Sequence, residues 1–162
     1  MIGTNVNSNN LYAEALLRHL ANQQPLAKNQ TTADVGLQIL KTTLNELGIE
    51  PTNYILVDVS GLSCKNLISP EALVQVLQVM AKSSQAEIFR ASLPIAGMSV
   101  SLRNRFINTS AQGIIQAKTG TMMGVVSLSG YVNAPNHEPL VFSINYGKSI
   151  GTTCKRCEES NR

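Results

Sequence analysis

Cysteine is scarce in this sequence, which holds only Cys64, Cys154 and Cys157. Three thiols are too few and too oddly numbered for a disulfide framework, and they leave the redox compartment undetermined. Charge of one sign is equally sparse. Thirteen Lys and Arg stand against ten Asp and Glu, a net charge of +3 with no basic block, which argues against a nucleic-acid-binding surface. No apolar run approaches the roughly 18 residues that a membrane-spanning helix needs. The opening MIGTNVNSNN has neither the basic nor the apolar part of a signal peptide, so the chain as written is expected to stay in the cytoplasm where it is made. Internal repeats and low-complexity tracts are also missing.

What is there is enough for one domain. The 162 residues are 43% hydrophobic and 14% charged, which suits a single buried core rather than a disordered chain. A first helix reads from Leu11 to Leu20 behind the candidate caps Ser8, Asn9 and Asn10. A second opens at Thr31, with Asp34 in its first turn, Leu37, Leu40, Leu44 and Leu47 at helical spacing, and Gly48 to stop it. Tyr54 to Val57 reads as a short strand, followed by the loop DVSGLSCKN. Ser69, Pro70 and Glu71 then announce a third helix with the stripe Leu73, Val76, Leu77 and Met80, ending near Lys82 to Ser84. After Gly113 the segments IIQAK, VVSLSGYVNA and PLVFSINYG alternate with the turn-like TMMG and NAPNHE and predict three successive antiparallel strands. Helices first and a meander last give an α+β class, with helices packed on a small antiparallel sheet.

Two short motifs could carry chemistry. Lys118-Thr119-Gly120 is expected at the end of an apolar strand, leading into a tight turn; its ammonium and hydroxyl can hold a carboxylate, and glycine lets that ligand approach the backbone. Ser8-Asn9-Asn10 places a hydroxyl and an amide ahead of a helix, where they could relay a proton and bind a substrate amide. Taken singly, each has a plainer reading, a solvated strand end and a set of helix caps.

Together they carry a resemblance. SNNLYAEALLR resembles an S-x-N motif with its helix, DVSGLSCKNLISP a D-G-S-G-L-S-R-x-N loop, and LPIAGMSVSLRNRF an LP-x-AG…G-T-L-R-x-R segment. AKTGTMMGVVSLSGYV is similar to a K-T-G strand and the strand after it. In this order, from Asn7 to Tyr146, the four motifs resemble the D-alanyl-D-alanine carboxypeptidase/endopeptidase family, the low-molecular-weight class C penicillin-binding proteins. The resemblance implies part of a β-lactamase/transpeptidase-like fold over residues 1–147. It also implies serine-type cleavage of peptidoglycan stem peptides through an acyl-enzyme, with no cofactor, no metal and a periplasmic setting. Ser8 and Asn10 would be catalytic, the first shuttling a proton toward the leaving group and the second orienting substrate. Lys118, Thr119 and Gly120 would receive the terminal carboxylate of a D-Ala-D-Ala peptide or of a β-lactam, and the N–H of Thr121 would be one oxyanion donor.

The family's third motif, S-x-x-K, supplies the acylated serine and its activating lysine. None of the seven lysines has a serine three positions before it. The chain is therefore expected to be a C-terminal portion that is inactive alone, or else a non-catalytic binding or interaction remnant. Val59, Cys64 and Val100 stand where the family's pattern has Gly, Arg and Gly. Residues 148–162 read as a disordered polar tail in which Cys154-x-x-Cys157 is adventitious rather than a redox or zinc pair, and His19 and His137 read as surface or packing residues. With no apolar stripe in that tail, VVSLSGYV and PLVFSINY are expected to be incompletely covered, favouring self-association through the sheet.

Overall fold

The computed structural model describes residues 2–122 and 124–147. Local chemistry sets the helix starts. Helix α1 is a single turn, Ile2–Asn5, and α2 spans Asn10–Leu20, where Asn9 Oδ1 accepts a hydrogen bond from Tyr12 N at 3.1 Å. Helix α3, Thr32–Glu46, opens on a full capping box. Thr31 Oγ1 accepts from Asp34 N at 3.2 Å while Thr31 N donates to Asp34 Oδ2 at 2.9 Å, so two of the backbone donors left over at the helix start are satisfied. Helices α2 and α3 pack closely at Gly36, where any Cβ would collide with the backbone carbonyl of Leu17.

A two-residue ladder, β1 Tyr54–Ile55 with β2 Leu67–Ile68, ties off the loop between them. Helix α4, Pro70–Lys82, is capped by Ser69 and followed by the short α5, Ala86–Ala91. The chain then builds a three-stranded antiparallel sheet in sequence order: β3 Ile115–Met122, β4 Val125–Val132 and β5 Leu140–Gly147. On one face Ile115, Ala117 and Leu128 are buried with Ala96 and Leu102. On the other, Tyr131 is buried against Leu77 of α4 and Leu93, and its hydroxyl donates to Leu77 O at 2.7 Å. Phe89 meets the Tyr131 ring edge-on and the Arg90 guanidinium lies 4.9 Å from its centroid. Gly130 lets β3 and β4 approach, because a Cβ there would strike the Gln116 carbonyl and Ala117. The outer part of the sheet is less well covered: Val125, Val126, Leu140, Ile144 and Tyr146 remain exposed.

The structure corrects several sequence expectations. Lys118-Thr119-Gly120 sits inside β3 and not at its end, since the hairpin falls between Met122 and Val125. Gly120 serves as a clearance, its missing Cβ leaving room for Ser127 Oγ. Ser8 is not a cap; that role belongs to Asn9. The strand expected over Tyr54 to Val57 stops at Ile55 because Val57 N instead donates to the Asn66 side chain. Cys64 is disulfide-bonded, whereas Cys154, Cys157 and the expected disordered tail lie outside the described residues.

Candidate active site

Ser8 and Lys118 lie 110 positions apart in sequence, yet Lys118 Nζ donates to Ser8 Oγ at 2.8 Å. A chain of contacts brings them together. Pro94 O accepts from Ala117 N and Ala96 N donates to Ile115 O, both at 2.9 Å, so the segment after α5 is fastened to the outer edge of β3 just before Lys118. Buried Ser92 heads that segment, and its hydroxyl accepts from Asn5 Nδ2 at 2.9 Å. Asn5 closes α1, and three residues later Ser8 turns back toward the sheet. Its φ of 51° is in the left-handed region, which L-residues other than Gly, Asn and Asp seldom occupy.

The ammonium of Lys118 also donates to the Thr119 carbonyl at 2.7 Å. Burial pulls its pKa below the usual 10.5. The ion pair present among the described residues joins Glu14 and Arg18, so among these residues Lys118 is a half-buried cation with no carboxylate partner. An anion placed there gains a charge-assisted hydrogen bond in a partly desolvated setting.

Backbone direction adds to the site. In an antiparallel ladder alternate residues turn both N–H and C=O to the same side. Ile115 and Ala117 face the 94–96 segment, so Thr119 and Thr121 present their backbone groups along the same edge, beyond the point where that segment leaves it. Lys118 and Gly120 pair with Ser129 and Ser127 of β4. The result is a strand edge bordered by a hydroxyl, an ammonium and two amides that have no partner among the described residues. Asn10 opens α2 close by, and its side chain makes no hydrogen bond among the described residues.

A second network holds α2 in place. Glu14 Oε1 accepts from Val59 N and Ser60 N, both at 3.1 Å. In the same loop, Asp58 accepts from Gly61 N and Ser63 N at 2.7 Å and from Asn66 Nδ2 at 2.9 Å. Burial alone would raise the Asp58 pKa, but Asn66, the two amides and the Ser60 hydroxyl outweigh it and hold the carboxyl low. Val59 keeps a negative φ while Gly61 takes +74°, so the departure at Val59 meets no backbone obstacle. Sequence reasoning missed Asn5, Ser92 and Glu14, and only the D-x-x-G spacing of the loop hinted at the Asp58 turn. Among the described residues the His19 ring hydrogen-bonds with the Asn22 side chain, at 3.4 Å, and His137 sits in an exposed turn. No group of three or more potential metal ligands occurs among the described residues.

Comparison with known proteins defines first a class. The chain superposes with TM-score 0.79 and 27% identity on penicillin-binding protein 4 of Haemophilus influenzae in complex with a β-lactam, covering 99% of this chain and 38% of that one. The fold is thus that of the penicillin-binding, transpeptidase-like proteins. The family follows: residues 3–157 match the D-Ala-D-Ala carboxypeptidase 3 (S13) family, and the chain belongs to it. It is 40% identical over 148 residues to the D-alanyl-D-alanine carboxypeptidase of Actinomadura sp. (strain R39), covering 88% of this chain and 27% of the relative. It is also 40% identical over 132 residues to penicillin-sensitive carboxypeptidase A of Dictyostelium discoideum, covering 80% and 25%. The chain therefore spans about a quarter of the length of these curated relatives.

Proposed function

We propose that this chain supplies the carboxylate-gripping and proton-relaying half of a serine D-Ala-D-Ala carboxypeptidase site. The observation that carries this reading is the 2.8 Å hydrogen bond from Lys118 Nζ to Ser8 Oγ, which joins the S-x-N and K-T-G motifs. Lys118 and the Thr119 hydroxyl bind the terminal carboxylate of a stem peptide, or the matching carboxylate of a β-lactam. Gly120 keeps the strand flat against its neighbour. The N–H of Thr121, on the open edge, donates to the scissile carbonyl oxygen as negative charge develops on it. Ser8 receives a proton relayed within the site and passes it to the departing D-Ala nitrogen, while the Asn10 amide orients the peptide. The serine to be acylated is not among these 162 residues, because no S-x-x-K occurs in them, so the chain alone grips and does not cut. Such a substrate belongs to the cell wall.

Supplying the missing motif tests this. Co-expression with an S-x-x-K-bearing segment from the Actinomadura relative is expected to give a complex labelled by fluorescent penicillin on that segment. Label should be lost with Lys118→Ala in this chain and kept with the distant Lys82→Ala. Labelling that ignores Lys118→Ala contradicts the assignment.

A further inference from the structure

Ser8 stands between two clamps. On the far side of Asn10, Glu14 holds α2 through the Val59 and Ser60 amides. On the near side, Asn5 Nδ2 donates to Ser92 Oγ at 2.9 Å. The bonds within this first turn, Val6 N to Ile2 O at 2.9 Å and Asn9 N to Thr4 O at 3.0 Å, close it on itself and do not set where it sits against the sheet. The Asn5 side chain does, because Ser92 heads the segment whose Pro94 carbonyl accepts from Ala117 N, one residue before Lys118. Three hydrogen bonds thus close a ring: Asn5 to Ser92, Ala117 N to Pro94 O, and Lys118 Nζ to Ser8 Oγ.

The Asn5 link is chemically selective. Ser92 is 0% exposed, and its one hydroxyl proton goes to Phe89 O at 2.6 Å, so toward Asn5 it offers lone pairs only. An amide nitrogen suits it and an ionised carboxylate does not. The link also carries a load. The φ of 51° at Ser8 is a strained conformation for a residue with a Cβ, and such a backbone persists only where its surroundings over-determine it. Released from Asn5, Ser8 relaxes toward negative φ and its side chain swings away from Lys118.

We propose that Asn5 and Ser92 are a positioning pair for the proton relay: their hydrogen bond holds Ser8 in its strained backbone with the hydroxyl on Lys118. This rests on the assignment of Ser8 as the relay, and it divides the work of the site. Lys118 is carried on β3 and fixed by the ladder with β4, so the carboxylate grip does not depend on Asn5. The hydroxyl that passes the proton does.

The 162-residue chain alone gives the first test. Nuclear Overhauser contacts between the Ser8 β-protons and the Lys118 ε-protons should be present in the unaltered chain and lost in both Asn5→Asp and Ser92→Ala, with the β3–β4 cross-strand contacts kept. Asn22→Asp, the same change at an exposed position, should leave them in place. In the complex with an S-x-x-K-bearing segment, saturation kinetics of fluorescent penicillin separate affinity from acylation rate. Asn5→Asp and Ser92→Ala should each slow acylation about fivefold to tenfold, the worth of one hydrogen bond, at an unchanged half-saturating concentration. The double variant should lose no more than the weaker single one, since both remove the same bond. A Ser8–Lys118 contact that survives either substitution, a loss carried by half-saturation instead of rate, or additive losses overturns the proposal. A complex whose unaltered form takes no label counts instead against the half-site assignment, and the contact in the chain alone still decides the role of Asn5.

Discussion

The two outer strands of the central sheet are both eight residues long, and they present opposite surfaces. Along β3 the edge is closed at Ile115 and Ala117 by the segment after α5, then opens beside an ammonium, a serine hydroxyl and two amides. Along β5, Leu140–Gly147, it carries no charge. Backbone geometry is the same in both, so the difference comes from side chains and neighbours. A charged, half-closed edge suits one small anion, whereas an edge strand without charge has nothing of its own to turn a neighbouring strand away.

The largest expected effect separates the two edges outright. In a complex supplied with S-x-x-K, Lys118→Ala should lower penicillin capture roughly 10–150-fold, the worth of a charge-assisted hydrogen bond at ~1.5–3 kcal/mol, while Ile144→Lys leaves capture unchanged. Equal loss from both would erase the distinction. The pH dependence sharpens it. Burial lowers the Lys118 pKa, so the cost of holding the buried ammonium is present at neutral pH and relieved as pH rises toward 10.5. Carboxylate binding, which needs the charged form, should weaken over the same rise, as a titration of affinity against pH would show.

Next comes the strand shared by both edges. Gly130→Ala forces a Cβ into the β3 backbone, which neither strand can yield without breaking the ladder, and should cost about 3 kcal/mol in a denaturant melt. Asp58→Ala removes the acceptor of three hydrogen bonds and should cost about 2 kcal/mol. Because the Asp58 pKa is lowered on folding, its contribution is present above 3.8 and lost as pH falls below that value. The variant's stability should therefore converge on that of the unaltered chain in acid. Tyr131→Phe removes only the bond to Leu77 O and should cost about 1 kcal/mol, with no change at either edge.

Much of this was legible in the sequence wherever the cause is local. Thr31 with Asp34, and Ser69 with the Ala72 amide, fix helix starts through groups three residues apart, and the three strands of the meander follow from alternation and turn residues. Lys118-Thr119-Gly120 was misplaced at a strand end because glycine followed by TMMG looks like a turn. What keeps Gly120 in the strand is Ser127 on the facing strand, which no local pattern reveals. Asn5 with Ser92, and Glu14 with the Val59 and Ser60 amides, join elements 45 or more positions apart and left no trace in spacing. The meeting of Ser8 with Lys118 was anticipated only through the family resemblance, not from the residues themselves.

The central claim is that this chain grips a carboxylate at the β3 edge but holds no serine able to be acylated. Intact mass after prolonged incubation of the chain alone with benzylpenicillin tests it most directly. The mass should remain that of the chain. A stable increase equal to one β-lactam, abolished by Ser8→Ala, would show that Ser8 is itself the nucleophile and contradict the account.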